Sequence, residues 1–289
     1  MSINLQNGHF AAAISETGAE LKSLIDLSSG REHIWHGDPA WWNGSAPVLF
    51  PIVGGLKDGV YVFEGKKYAL PNHGFARGSQ FTAVRQESDS AELILTSSAK
   101  TRESYPFAFS LSVTFVLEQS GLSVRYKVTN TGSPRIYFSI GSHPAFVVPF
   151  AGGSLENYYV MFDREEHTER WFIKDNLIIA DTTEQVFENS RIISLSRSLF
   201  DRGALVFKHP QSREFSIRNS LSSHAVTVIT ESAPYLGIWA KPGAPFLCIE
   251  PWHGLADSTN ASGNLVEKEG ILYLDSRGAF ETGYRIEIR

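Results

Sequence analysis

The sequence predicts an all-β fold, a large antiparallel β-sandwich with few short helices, on three observations. Short apolar or alternating runs recur along the chain, at least twelve of them, each closed by turn-forming residues. No segment sustains the 3.6-residue periodicity of an amphipathic helix. Aromatic residues reach 12% (19 Phe, 10 Tyr, 6 Trp) beside 24 Gly, a composition suited to sheets and tight turns. The 289 residues contain no linker, low-complexity tract or repeat, so one domain over residues 1–289 is expected.

Taken in order, residues 19–27 read as a strand closed by Ser28-Ser29-Gly30. In residues 35–44, Asp38-Pro39 starts a single helical turn that Asp38 caps and Gly44 stops. Residues 46–51 are apolar but carry Pro47 and Pro51, which suits an edge or irregular segment. Residues 60–70 form a tight hairpin about Glu64-Gly65, and the loop from Pro71 to Arg77 follows. Strands are expected at 92–96, 110–118, 122–128 and 136–140, with Gly121 at the turn between the second and third. The stretch 152–198 is more polar and less regular, and residues 194–200 read as one short helix. Strands resume at 204–208, 214–218, 225–230, 236–240, 246–250, 270–274 and 284–288.

Charge and targeting signals narrow the function classes. The 26 Lys+Arg and 31 Asp+Glu give a net charge of −5, and no basic block is present, so nucleic acid is not an expected partner. The N-terminus lacks the basic and apolar regions of a signal peptide, and no apolar run approaches membrane-spanning length. A cytoplasmic protein, monomer or homodimer, is expected; one cysteine, Cys248, fits a reducing compartment.

The candidate chemistry centres on Pro245-Phe-Leu-Cys-Ile-Glu-Pro-Trp-His-Gly254. Four apolar residues, 246–249, read as a strand buried on both faces, with Glu250 at its end ahead of Pro251. A carboxylate so placed is paired, neutral or employed, because an unpaired buried charge costs several kcal/mol. His143 repeats the design, following an apolar run and preceding Pro144, and a residue before proline is held extended. His73 lies in the loop after the hairpin, four residues before Arg77. Structural roles remain open for each: Glu250 could pair with an arginine, for which Arg77 is available. His9, His33, His36, His167, His209 and His224 read as surface or hydrogen-bonded histidines, Trp239 and Trp252 as core or sugar-stacking residues, and Cys248 as packing. Signatures of zinc peptidases, P-loops, dinucleotide-binding turns and nucleophile elbows are absent.

Three segments, residues 72–77 (Asn-His-Gly-Phe-Ala-Arg), 140–146 (Ile-Gly-Ser-His-Pro-Ala-Phe) and 248–252 (Cys-Ile-Glu-Pro-Trp), in this order and spacing, resemble the aldose 1-epimerase (galactose mutarotase) superfamily, in particular its mutarotase-related branch that includes the LacX proteins. Residues 46–54 and the closing Tyr-Arg-Ile-Glu-Ile also look like that branch, so the likeness runs nearly end to end. The resemblance implies a galactose mutarotase-like supersandwich, a small-molecule sugar substrate and interconversion of its α and β anomers without metal or organic cofactor. It assigns Glu250 as general base and His143 as general acid, with His73 and Arg77 positioning substrate and Trp239 a further substrate contact. Placement of both groups in one pocket about a sugar ring apart would favour the enzyme most, and side chains pointing into separate regions would exclude it. Gly55 stands where relatives often carry a basic residue, with Lys57 as a replacement. The alternatives from other classes are a carbohydrate-binding or sensing protein without turnover, and a hexose-6-phosphate mutarotase using Arg77, Lys57 and Lys241.

Overall fold

The computed structural model describes residues 2–187 and 190–289. Strand makes up 53% of the structure and helix 6%, in large antiparallel sheets, as the sequence predicts. A nine-stranded sheet runs in the order Ser190–Ser194, Tyr158–Glu166, Glu214–Asn219, Ser222–Thr230, Ala279–Ile288, Gly121–Asn130, Phe109–Leu117, Ser90–Thr96, Thr82–Gln86. An eight-stranded sheet runs Leu177–Gln185, Glu169–Lys174, Leu205–Lys208, Tyr235–Trp239, Phe246–His253, Ile140–Ser142, Val48–Leu49, with Ala145–Val147 also paired to Phe246–His253. A smaller four-stranded sheet, Ser2–Gln6 to Arg31–Glu32, packs its Ile3, Leu5, Phe10 and Ile14 into the same core.

Period-two alternation sorts the side chains of the eight-stranded sheet. Leu236, Ile238, Leu247 and Ile249 join the core shared with Leu111, Val113, Phe115, Val226 and Ile286 of the nine-stranded sheet. Their neighbours along the strands face the other way. Val206, Tyr235 and Trp252 form a second buried cluster there with Leu49, Val53, Ile178, Leu255 and Ala256. Every residue of Phe246–His253 is therefore buried, and Cys248, Glu250 and Trp252 share the face opposite Leu247 and Ile249.

Several boundaries differ from expectation for identifiable reasons. Glu250 does not end its strand, which continues through Pro251 to His253. The Ile249 N–H donates to the Pro144 carbonyl across 3.3 Å, so alternation points the Pro251 nitrogen at the same gap between Ile140–Ser142 and Ala145–Val147. The missing donor costs no ladder bond there, and the Ser142 hydroxyl donates instead to the Pro251 carbonyl. His143, by contrast, does sit in the break between two short strands.

Residues 158–194 form four strands rather than an irregular stretch; they lie toward the edges of both sheets, where polar residues stay solvated. The helix expected at 194–200 is absent. Leu195 N–H still pairs with the Tyr158 carbonyl, and the buried Leu195 and Phe200 are joined by single i→i+3 turns. A helix does form at Ala99–Ser104, where Ser98 and Thr101 exchange side-chain and backbone hydrogen bonds as a capping box. Asp38 caps a turn as expected, accepting from Ala40 N–H at 2.8 Å, whereas Gly44 serves another purpose: the Trp42 ring lies where its Cβ would be. The edge position of Val48–Leu49 and the Glu64-Gly65 hairpin match the expectation.

One polar device ties the site loops to this frame. Lys268 and Asp257 form a buried ion pair at 2.6 Å, with side chains 3% and 4% exposed. Asp257 also accepts from Lys57 N–H, donates its own N–H to Gly55 O, and receives Ile178 N–H at its carbonyl. Three remote segments thus close around one residue, two of them on its carboxylate. Lys268→Met, which leaves that carboxylate unpaired, should lower unfolding free energy by about 3–5 kcal/mol in urea titrations, and adding Asp257→Asn should restore part of the loss; an unchanged midpoint would contradict the role given to the pair.

Candidate functional site

The site follows from the register of the eight-stranded sheet. Ala145 pairs with Cys248 and Gly141 with Trp252, so the His143-Pro144 break lies opposite Glu250. The result is contact: His143 Nε2 stands 3.2 Å from Glu250 Oε2. The two groups meet at one hydrogen-bond length rather than a sugar ring apart, because their side chains leave adjacent strands at the same level. Glu250 is 2% exposed and His143 8%.

Aromatic rings enclose the pair. Trp42 stacks on His143 with centroids 4.8 Å apart and 28° between planes, while Trp239 and His73 meet it edge-on, each at 5.7 Å. Trp252 donates its indole N–H to the Ser142 carbonyl at 3.2 Å, and its ring lies over Gly141 and Gly237, where a Cβ would come within 2.7 and 2.5 Å. Glycine is required at both positions to let that ring lie flat beside Glu250.

His73 is held from two sides. Its N–H donates to Gly54 O at 2.9 Å, and its Nδ1 accepts from Gly54 N–H at 3.0 Å, which places the ring proton of the neutral imidazole on Nε2. The clasp requires a left-handed backbone at His73 (φ 66°) and close approach of Gly74 (φ 72°) to the Phe50 carbonyl, 2.3 Å from an added Cβ. A cleft opens beside it, lined by Gly54, Asn72, His73, Asn176, Val206 and Trp252 among others, and encloses about 50 Å³. Asn72 Oδ1 is buried there without a hydrogen-bond partner.

Burial controls the electrostatics. Desolvation raises the Glu250 carboxyl well above the usual carboxylate range. It also pushes the His143 imidazole well below its ordinary value, helped by His73 and Arg77. His73 falls to about 4, from burial first and Arg77 second. Both partners of the pair thus favour their uncharged forms, with Glu250 carrying the proton and donating it to His143.

The other sequence candidates fall into place around this centre. Arg77 lies on the exposed turn Ala76–Gly78, and its charge reaches both histidines. Trp239 packs edge-on against His143 and Trp42. Lys57 binds the Ala261 carbonyl and Lys241 the Ala40 carbonyl, and neither lines the cleft. No side chain fits at Gly55, since an added Cβ would lie 2.8 Å from Asn176 O. Asn176, on the Asp175-Asn176 turn with φ 52° and 64°, occupies that corner instead. Sequence reading did not single out Trp42, Asn72 or Asn176, whose places depend on long-range packing; the Asp-Asn pair between two strands was the one local signal for the Asn176 turn.

Residues 1–272 match the aldose 1-epimerase family. The chain belongs to that family. The protein LacX of Lactococcus lactis subsp. lactis is 30% identical over 278 residues, with 92% of each chain covered. A galactose mutarotase related enzyme from Lactobacillus acidophilus superposes with a TM-score of 0.96 at 32% identity, covering 100% of this chain and 97% of its own. A galactose mutarotase-like protein from Lactobacillus casei gives 0.92 at 28% identity, with both chains fully covered. The galactose mutarotase-like fold expected from the sequence is thereby established, and no helix among the described residues is long and apolar enough to cross a membrane.

The depressed histidine sets a pH dependence. Unfolded His73 takes up a proton near pH 6.5, whereas the folded ring resists until about 4, so stability is lost as pH falls through that window. His73→Gln, which keeps an acceptor for Gly54, should lose about 2 kcal/mol less than the parent between pH 7 and 4.5 in denaturant titrations. Equal losses would show that the ring titrates normally.

Proposed function

We propose that the protein is a cofactor-independent aldose 1-epimerase that interconverts the α and β anomers of a neutral hexose. The observation that supports this most is the 3.2 Å contact between His143 and Glu250, next to His73, which meets the His143 ring edge-on and itself lines the neighbouring cleft. Anomer exchange needs one proton removed from the anomeric hydroxyl and one delivered to the ring oxygen. Those two oxygens share a carbon, so an acid and a base in contact suit them better than groups a ring apart.

The pair holds one proton. With the proton on His143, Glu250 is a carboxylate base and the imidazolium an acid; sugar hydroxyls that replace lost solvation favour this charged form. Glu250 then takes the O1 proton, the C1–O5 bond breaks, O1 becomes the aldehyde oxygen, and His143 protonates O5. Opening returns the pair to its uncharged form. Rotation about C1–C2 and closure on the other face reverse each transfer and regenerate the charges, so the proton count balances without solvent.

Substrate positioning falls to His73, with Arg77 acting through its charge on both histidines and Trp239 holding the imidazole edge. The buried carbonyl of Asn72 offers an acceptor for a sugar hydroxyl. Because the cleft encloses only about 50 Å³, the ring seats one edge there and extends along the exposed rim at Asn176. Among the described residues no lysine or arginine lines the cleft, which favours a neutral sugar over a phosphorylated one.

The test is anomer exchange, followed by NMR on freshly dissolved aldoses. Glu250→Gln and His143→Gln should each slow exchange by about 10²- to 10⁴-fold. No acceleration across a broad panel of neutral aldoses would overturn the proposal, and sugar binding without exchange would instead support a carbohydrate-binding protein.

A further inference from the structure

The pair has a third neighbour that proton transfer does not use. Cys248 is two residues before Glu250 on the same strand, so both side chains leave the same face, and its Sγ, Glu250 and His143 each place one donor atom within 4.8 Å of the others. We propose that His143 Nε2, Glu250 Oε2 and Cys248 Sγ form a binding site for a thiophilic divalent cation of the zinc class, and that the bound cation inhibits the enzyme. The inhibition, though not the binding, rests on the epimerase reading.

Geometry supports the site. In a tetrahedral zinc centre with bonds of about 2.0–2.1 Å, nitrogen and oxygen ligands lie about 3.3 Å apart; the observed nitrogen-to-oxygen distance is 3.2 Å. Glu250 Oε2 is buried against His143 Nε2, and its residue is 2% exposed. Cys248 is 0% exposed and sits on a strand paired on both sides, which holds its backbone in place beside the pair. Thiolate, imidazole and carboxylate together suit zinc, cobalt or cadmium and disfavour magnesium and calcium. Three protein ligands leave the fourth position of a tetrahedral centre open, as in catalytic zinc sites.

Binding is a simple exchange of protons for metal. Metal–sulfur, metal–nitrogen and metal–oxygen bonds form, the thiol proton and the proton shared by the His-Glu pair leave for solvent, and no oxidation state changes. Two anionic ligands then neutralise the dication in its buried setting. The cation occupies the oxygen and the nitrogen that the sugar needs, so exchange stops.

Cobalt(II) is the direct probe, because Cys248 is the sole cysteine and any thiolate-to-cobalt charge-transfer absorption must come from it. Titration of the intact protein should give that near-ultraviolet band at one cobalt per chain, with visible bands of tetrahedral intensity; zinc should abolish both by displacement. Cys248→Ala and Glu250→Gln should lose the band or bind far more weakly, with circular dichroism confirming the fold. Saturating zinc should slow anomer exchange about 10²-fold or more. No sulfur band, or cobalt affinity unchanged in Cys248→Ala, would overturn the site. A normal band with no anomer exchange at any metal level would keep the site and refute the epimerase reading; a normal band with exchange indifferent to zinc would refute the inhibition.

Discussion

The structure depends on one constraint: a glutamate and a histidine that meet at 3.2 Å on the face of a sheet from which water is largely removed. An isolated charge on either would be costly there. Sharing a single proton resolves the conflict, since one proton neutralises both. The rest of the region serves that contact. The break at His143-Pro144 and the run through Glu250-Pro251 complement each other, because the proline that cannot donate faces the gap that the break creates. Trp42 and Trp239 fix the imidazole plane, and two glycines let Trp252 lie beside the carboxylate.

Around this centre the loops are anchored by polar ties rather than by packing alone. His73 is clasped to Gly54 through both its backbone and its ring, and Gly54 belongs to a segment zippered to Asp257 and Asn176. The Asp257–Lys268 ion pair is worth little as net stability compared with an apolar pair, but it specifies which three segments meet. That explains how a cleft with an apolar floor of Val206, Ile178 and Leu255 retains polar groups in fixed positions at its rim.

Much of this was legible in the sequence, for physical reasons that can be named. Alternation and turn residues located most strands of both sheets, because a half-buried strand must alternate and a tight turn must use residues such as Glu64-Gly65. The unusual placement of Glu250 and His143 beside prolines marked them as candidates, since burial of a charge is expensive wherever it occurs. What could not be read was anything set by pairing between distant strands. The continuation of Phe246–His253 through Pro251 depends on the Pro144 partner 107 residues earlier. The strands of 158–194 are polar because they lie toward the sheet edges, and their sequence looks like loop until the edges are known. Trp42, Asn72, Asn176 and the approach of Cys248 to the pair are likewise products of register, which sequence spacing does not encode.

The claim that the pair holds one proton, carried by Glu250 when no sugar is bound, is tested most directly by NMR of the intact protein with labelled histidine and glutamate side chains. The account predicts a His143 ring that takes up its proton only well below its ordinary range, with Nε2 as the acceptor when neutral, and a Glu250 carboxyl that loses its proton only well above the usual carboxylate range. A His143 ring that titrates near its ordinary value of 6.5, with Glu250 ionised throughout, would contradict it.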